Sequence, residues 1–263
     1  MNQTFIITKT NDIDYLQFNK LLEFDEWVHA FSLKSHNIGF RQGGKNFTAD
    51  LSYNRICNAL NIDEKVIIHP DQKHTDNICE YRDEEKMSLA KVDGIITDKK
   101  QIATLLTFSD CTPLLFYDPK EKVLANIHSG WRGTIQQIAS KTVDKMVKDY
   151  NCKTENIICC IGPTIRKDHF LVNTDVTEIF QNAFKELCNK YNIIENTDFE
   201  NEKGKQYMID TVLVNKIILK NQGLLDKNII DSEICTVCQK DLFHSRRAEG
   251  EKYQANGCLM MLK

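Results

Sequence analysis

The sequence predicts a mixed α/β protein organised around a central sheet. Three observations carry that expectation. Short runs of β-branched and aromatic residues recur between turn residues, helical periodicity appears at three places among them, and no low-complexity linker, repeat or Pro/Gly/Ser-rich break divides the chain. The reading is one domain over residues 1–263.

The strand-like runs are Val66-Ile67-Ile68, Gly94 to Thr97, Ala103 to Phe108, Leu114 to Tyr117, Val123 to His128 and Ile157 to Ile161. Each is short and apolar, as buried strands require. The N-terminal segment Met1 to Thr8 also reads as a first strand. Helical spacing puts Ile135, Ile138, Ala139, Val143 and Met146 on one face of Thr134 to Tyr150. It does the same for Val176, Ile179, Phe180, Phe184 and Leu187 between Asp175 and Tyr191. A third pattern runs from Asp210 to Lys220 with the aspartate as N-cap. Strand order does not follow from these signals.

With 263 residues and a formal charge of −3, the chain lacks the clustered excess of Lys and Arg that phosphate neutralisation demands, so nucleic acid is not an expected partner. No apolar run approaches the roughly 20 residues that cross a bilayer, and the N-terminus lacks a basic segment followed by a sustained apolar one. A soluble, cytoplasmic protein is expected. Its ten cysteines are then reduced, several of them packed as small hydrophobes, such as Cys159, Cys160 and Cys188.

Reactive side chains concentrate where predicted strands end. One strand runs into Ser109-Asp110-Cys111-Thr112-Pro113, another into His128-Ser129-Gly130-Trp131-Arg132-Gly133, and a third precedes Gln72-Lys73-His74. Loops at strand ends present groups from a rigid scaffold. A helix opening at Thr134 would turn its free N–H groups towards an anion. One Cys and two His on three loops, with a position left to water, is a recurring catalytic zinc arrangement. His74, Cys111 and His128 are therefore candidate ligands, although structural histidines and a buried cysteine would look the same in sequence.

Other signals are weaker. His29, His36 and His169 read as surface or hydrogen-bonded residues. Cys235-Thr-Val-Cys238 has no second pair to complete a zinc site, so a structural turn or a reduced pair packed under the sheet is expected. In Phe243-His-Ser-Arg246-Arg247, a strand would send the two arginines opposite ways, leaving at most one for a site. The Gly39 to Gly44 loop lacks the pattern of a phosphate-binding loop.

Taken in order, Arg41-x-Gly43-Gly44, Gln72-x-His74, Val92-Asp93-Gly94 with Thr97-Asp98, and Ser109-Asp110-Cys111-x-Pro113 resemble the YfiH/YlmD family, also described as laccase-domain or polyphenol-oxidase-like proteins. His128-Ser-Gly-Trp-Arg-Gly133, Ile161-Gly-Pro163-x-Ile165, Cys235-x-x-Cys238 and Phe243-x-Ser245-x-Arg247 extend the resemblance to nearly the whole chain. It implies a single-domain α/β mixed-sheet sandwich with flanking helices, and zinc held by His74, Cys111 and His128. It further implies phosphorolysis of adenosine, inosine, guanosine and methylthioadenosine, and deamination of adenosine to inosine. The partners are then purine nucleosides and phosphate, with the chain a monomer or homodimer. Asp110 is a candidate proton shuttle, and Arg41 and Arg132 are candidate anion contacts. The chain departs from the family at Glu251 to Asn256, where a Thr-Gly-Arg element is usual, so Tyr253 marks a place where substrate preference is expected to differ.

Two other functions fit the family. A copper-dependent polyphenol oxidase is one, since Cu²⁺ competes well for N/S ligands. A multicopper centre, however, requires many imidazoles, and this chain has seven His and no His-x-His pair. The other is a cysteine hydrolase that edits cell-wall precursors, with Cys111 as nucleophile and His128 as base. Metal content separates these from the zinc enzyme. A non-enzymatic binding module fits poorly with so many convergent reactive groups.

Overall fold

The structure, a computed structural model, describes residues 4–35, 38–40, 51–63, 67–82 and 88–263. The chain opens with β1 (Phe5–Thr8), β2 (Tyr15–Phe18) and β3 (Trp27–Ser32), followed by α1 (Leu51–Leu60). Next come β4 (Ile67–Ile68), β5 (Ile78–Tyr81), β6 (Gly94–Thr97), β7 (Ala103–Phe108), β8 (Thr112–Asp118) and β9 (Val123–Ser129). Two helices, α2 (Trp131–Ile135) and α3 (Ile138–Tyr150), lead to β10 (Ile158–Ile161) and β11 (Leu171–Asn173). After α4 (Thr174–Ala183) and α5 (Lys185–Lys190), the strands β12 (Ile194–Asn201) and β13 (Gly204–Ile209) form a hairpin. The remainder is α6 (Thr211–Asn221), β14 (Ile229–Asp231), α7 (Arg246–Glu249) and β15 (Asn256–Leu262).

Two mixed sheets face one another. The first has the order β1-β2-β3-β15-β7-β4 and the second β14-β10-β8-β9-β6-β5, while β11-β13-β12 make a small third sheet. Alternation along β8 shows why its middle, Leu114 to Tyr117, is apolar on both faces. Leu115 and Tyr117 pack towards the first sheet, against Phe31, Phe108 and Met260. Leu114 and Phe116 face the other way, into a core shared with Val143, Met146 and Val214 of the helices. A strand covered on both faces has no polar side to show. The outer face of the first sheet is closed by Tyr53, Ile56 and Cys57 of α1 against Ala30, Leu105 and Leu259. The buried amide of Asn126 ties the layers together, donating from Nδ2 to the carbonyls of Thr104 (3.2 Å) and Cys258 (2.9 Å).

This is the expected α/β sandwich with flanking helices, and its differences from the sequence reading are local. The helix expected from Thr134 begins instead at Trp131 and is interrupted, because Gln137 takes a left-handed conformation (φ 58°) between α2 and α3. The second expected helix breaks at Phe184 (φ −129°, ψ 39°), which turns its ring into the core beside Phe180. Ile179, expected on the buried face, is 45% exposed. The third expectation holds, with the Asp210 carboxylate accepting from the Leu213 N–H at 2.8 Å. Val66 of the first internal run lies outside the described residues, as do Met1 to Gln3. No helix among the described residues is long and apolar enough to cross a membrane.

Candidate metal centre

The β8–β9 hairpin builds one half of the site. Its register pairs Thr112 with Ser129 and Pro113 with His128, so Cys111, one step before β8, lies at the open end beside Gly130. The other half is the loop after β4, where His74 has a left-handed backbone (φ 60°), a strained choice for a residue with a side chain. The ligating atoms of His74, Cys111 and His128 all lie within 4.8 Å of one another. Gly130 permits this closeness: a Cβ there would stand 2.8 Å from His74 Cδ2 and 3.3 Å from Cys111 Sγ.

Asp93 organises both halves. Its fully buried carboxylate accepts from the backbone N–H groups of Lys73 (3.1 Å), His74 (3.0 Å) and Thr75 (2.7 Å) and from the Thr75 hydroxyl (2.7 Å). The same carboxylate meets His128 Nδ1 at 2.8 Å. Burial would raise the Asp93 carboxyl, but His128 and Thr75 outweigh it and hold it down at about 2. Burial likewise opposes charge on His128, yet Cys111 and Asp93 lift its imidazole to about 9. The Cys111 thiol, which burial would raise, is drawn down to about 6 by His128 and His74.

Two features fit a metal ion. With Nδ1 committed to Asp93, His128 turns Nε2 towards Cys111 and His74, and that buried atom has no hydrogen-bond partner. A carboxylate that fixes the far nitrogen of a metal-binding imidazole is the usual outer support of such sites. The donor set of two imidazoles and an ionisable thiol suits zinc or copper.

The cluster opens into a cleft of about 600 Å³, within the size range of small-molecule sites. Trp131, Phe170 and Tyr253 give it aromatic walls, and Arg132, Arg246 and Arg247 bring three guanidinium groups. Arg132 lies over the Trp131 ring at 4.1 Å, and Arg246 lies over Tyr253 at 5.6 Å. Arg247 is already engaged, donating to the carbonyls of His169 (2.6 Å) and Leu171 (3.1 Å). Asp110 lines the cleft with both oxygens bonded, one to the Thr236 hydroxyl (2.6 Å) and one to the Arg247 backbone N–H (2.8 Å).

The structure thus brings His74, Cys111, His128, Asp110 and Arg132 to one place. Arg41, with Gly43 and Gly44, lies outside the described residues, as does His36. His29 is a structural residue whose buried Nε2 accepts from the Phe18 N–H at 2.8 Å. The expectation that only one of Arg246 and Arg247 faces a site is overturned. They open the short helix α7 rather than continuing a strand, and both reach the cleft. His169, expected to be a surface or hydrogen-bonded residue, has the Cys235 and Cys238 thiols as the partners of its ring. Asp93 escaped a functional assignment from sequence, although Val92-Asp93-Gly94 was a matching motif.

A family model described as multi-copper polyphenol oxidoreductase laccase matches residues 27–262. The chain belongs to that family. Purine nucleoside phosphorylase YlmD of Bacillus subtilis (strain 168) is 30% identical to this laccase-family chain over 229 residues, covering 83% of it and 79% of YlmD. Adenosine deaminase RL5, from an unknown prokaryotic organism, is 28% identical over 199 residues, 73% of each chain. The human purine nucleoside phosphorylase LACC1 is 25% identical over 247 residues, 86% of this chain and 53% of LACC1, so the chain spans about half of that protein's length. In fold, the chain is similar to the Bacillus licheniformis hypothetical protein YfiH, with a TM-score of 0.81 at 24% identity over 98% of this chain and 99% of that one.

Proposed function

We propose that this chain is a zinc-dependent purine nucleoside enzyme, one domain over its whole length, that cleaves adenosine, inosine, guanosine and methylthioadenosine with phosphate and deaminates adenosine to inosine. One observation carries the reading: the three-donor cluster opens directly into a cleft walled by aromatic rings and by two arginines, Arg132 and Arg246, that have no carboxylate partner among the described residues. That lining suits a flat base joined to a group that accepts an anion. Relatives named purine nucleoside phosphorylase and adenosine deaminase support the same substrate class.

In this reading Trp131 and Tyr253 stack the base, and Arg132 and Arg246 hold phosphate beside the ribose, with Arg41 as a further contact. His74, Cys111 and His128 hold the ion, which when bound supplies Lewis acidity. Asp93 keeps His128 in the tautomer that leaves Nε2 available. Asp110, next to Cys111 on the cleft wall, relays protons in this reading, and it anchors Thr236 and the Arg247 backbone. The test is incubation of zinc-loaded protein with adenosine, with and without phosphate, followed by chromatography. Inosine in both samples and adenine only with phosphate are expected; absence of both products overturns the reading.

One observation favours a cysteine hydrolase as the second reading. The lowered Cys111 thiol, the raised His128 imidazole and the Asp93 carboxylate behind it are ordered like a nucleophile, a base and an orienting acid. Stoichiometric zinc bound through Cys111 excludes it, because coordination neutralises the thiolate charge that would attack.

A further inference from the structure

A second set of soft donors lies at the edge of the cleft. His169 ends a short turn over Lys167–His169, and Cys235 and Cys238 sit on one turn that enters through the bridge between Thr164 and Cys235. The Cys235 Sγ is 3.7 Å from His169 Nδ1, and the Cys238 Sγ is 3.8 Å from Nδ1 and 3.9 Å from Nε2. All three donors lie within 4.8 Å of one another, and both cysteines are free. A tetrahedral ion with Zn–S about 2.3 Å and Zn–N about 2.1 Å sets an S···N edge of about 3.6 Å. The observed separations are within reach of weak sulfur hydrogen bonds and also close to that edge.

We propose that His169, Cys235 and Cys238 form a second metal site, separate from the cleft cluster, that takes Zn²⁺ through two thiolates and one imidazole. Cys238 is exposed, so the fourth position faces solvent, beside Asp168, which lies near enough to act on the Cys238 charge. The ion would be a clamp on the cleft wall. Thr236, between the two cysteines, donates to Asp110 Oδ1, and the Arg247 guanidinium donates to the His169 carbonyl. Holding the two cysteines and His169 together therefore fixes the segments that position Asp110 and Arg247.

Cobalt(II) titration of a Cys111→Ser chain tests it, because that variant removes the only cysteine of the cleft cluster. One equivalent of cobalt should still give a near-ultraviolet sulfur-to-metal band and intense visible bands of tetrahedral cobalt. Adding Cys238→Ser should at least halve the sulfur band and His169→Ala should weaken the visible ones. No sulfur band in the Cys111→Ser chain, or a band unchanged by Cys238→Ser, overturns the proposal. A second measurement uses the native chain: zinc should slow alkylation of Cys238 by about tenfold or more, since a coordinated thiolate is a poor nucleophile. Equal rates with and without zinc overturn it, as does Cys235–Cys238 disulfide formation at a rate that zinc leaves unchanged.

Discussion

Asp93 and His128 form a buried pair, Nδ1 to carboxylate at 2.8 Å, and the same carboxylate gathers three successive backbone N–H groups around His74. One side chain thus sets the orientation of two candidate ligands carried on different loops. Asp93→Asn keeps the size but removes the charge and presents an amide where acceptors are needed. Zinc affinity should fall about 10- to 100-fold, measured by competition with a chromophoric chelator. An unchanged affinity would remove Asp93 from the support of the site.

Gly130→Ala probes the spacing of the donors directly. The new Cβ would press on His74 Cδ2 and Cys111 Sγ at 2.8 and 3.3 Å. Overpacking of this kind costs about 1–3 kcal/mol, so zinc affinity should drop roughly tenfold or more. Far-ultraviolet circular dichroism should be unaltered, because the Gly130 backbone (φ −67°) is open to any residue.

Arg132→Ala separates the two proposed reactions. Losing a charge-assisted contact costs about 1.5–3 kcal/mol, which should raise the KM for phosphate about 10- to 100-fold. Adenosine deamination, which needs no phosphate, should keep its KM for adenosine within a few-fold. Equal loss of both reactions would argue that Arg132 shapes the cleft and does not hold the anion.

Asp231 offers a pH test away from the cleft. Its carboxylate is bound by both terminal nitrogens of Arg166 and by Lys216 at 2.7 Å. Burial would raise its carboxyl, but these cations hold it below the usual 3.8. The folded protein therefore binds this proton less readily than the unfolded chain. The resulting stability is present above about pH 4 and is lost as pH falls through the lowered value. Asp231→Asn should cost about 3 kcal/mol at pH 7, and the gap between wild type and variant in urea unfolding should narrow below about pH 4. A gap that stays constant with pH would show that the charge is not its source.

Much of the second sheet was legible in the sequence because β8, β9 and β10 are buried on both faces and leave short, largely apolar runs. The β12–β13 hairpin was not, since most of its side chains are exposed and its sequence carries no apolar alternation. Helix interruption at Gln137 is a backbone event, invisible to side-chain periodicity. The three donors were picked out by residue type and motif, not by spacing, because separate loops bring them together. His169 was passed over for the same reason: its partners lie more than sixty residues away, and a single histidine carries no pattern.

The pairing of β3 with β15 has a consequence for biosynthesis. Trp27 is registered against Leu262, and β15 also pairs with β7, so the middle of the first sheet is supplied by residues made more than 220 positions after β3. At about 5–20 residues per second, β3 leaves the ribosome roughly 10–50 s before its inner neighbour exists. Through that interval Phe31 and Ala30, fully buried at the end, have no completed sheet to enter. The inner edge of β3 therefore stays unpaired until the residues of β15 have been made, and the first sheet cannot close before then.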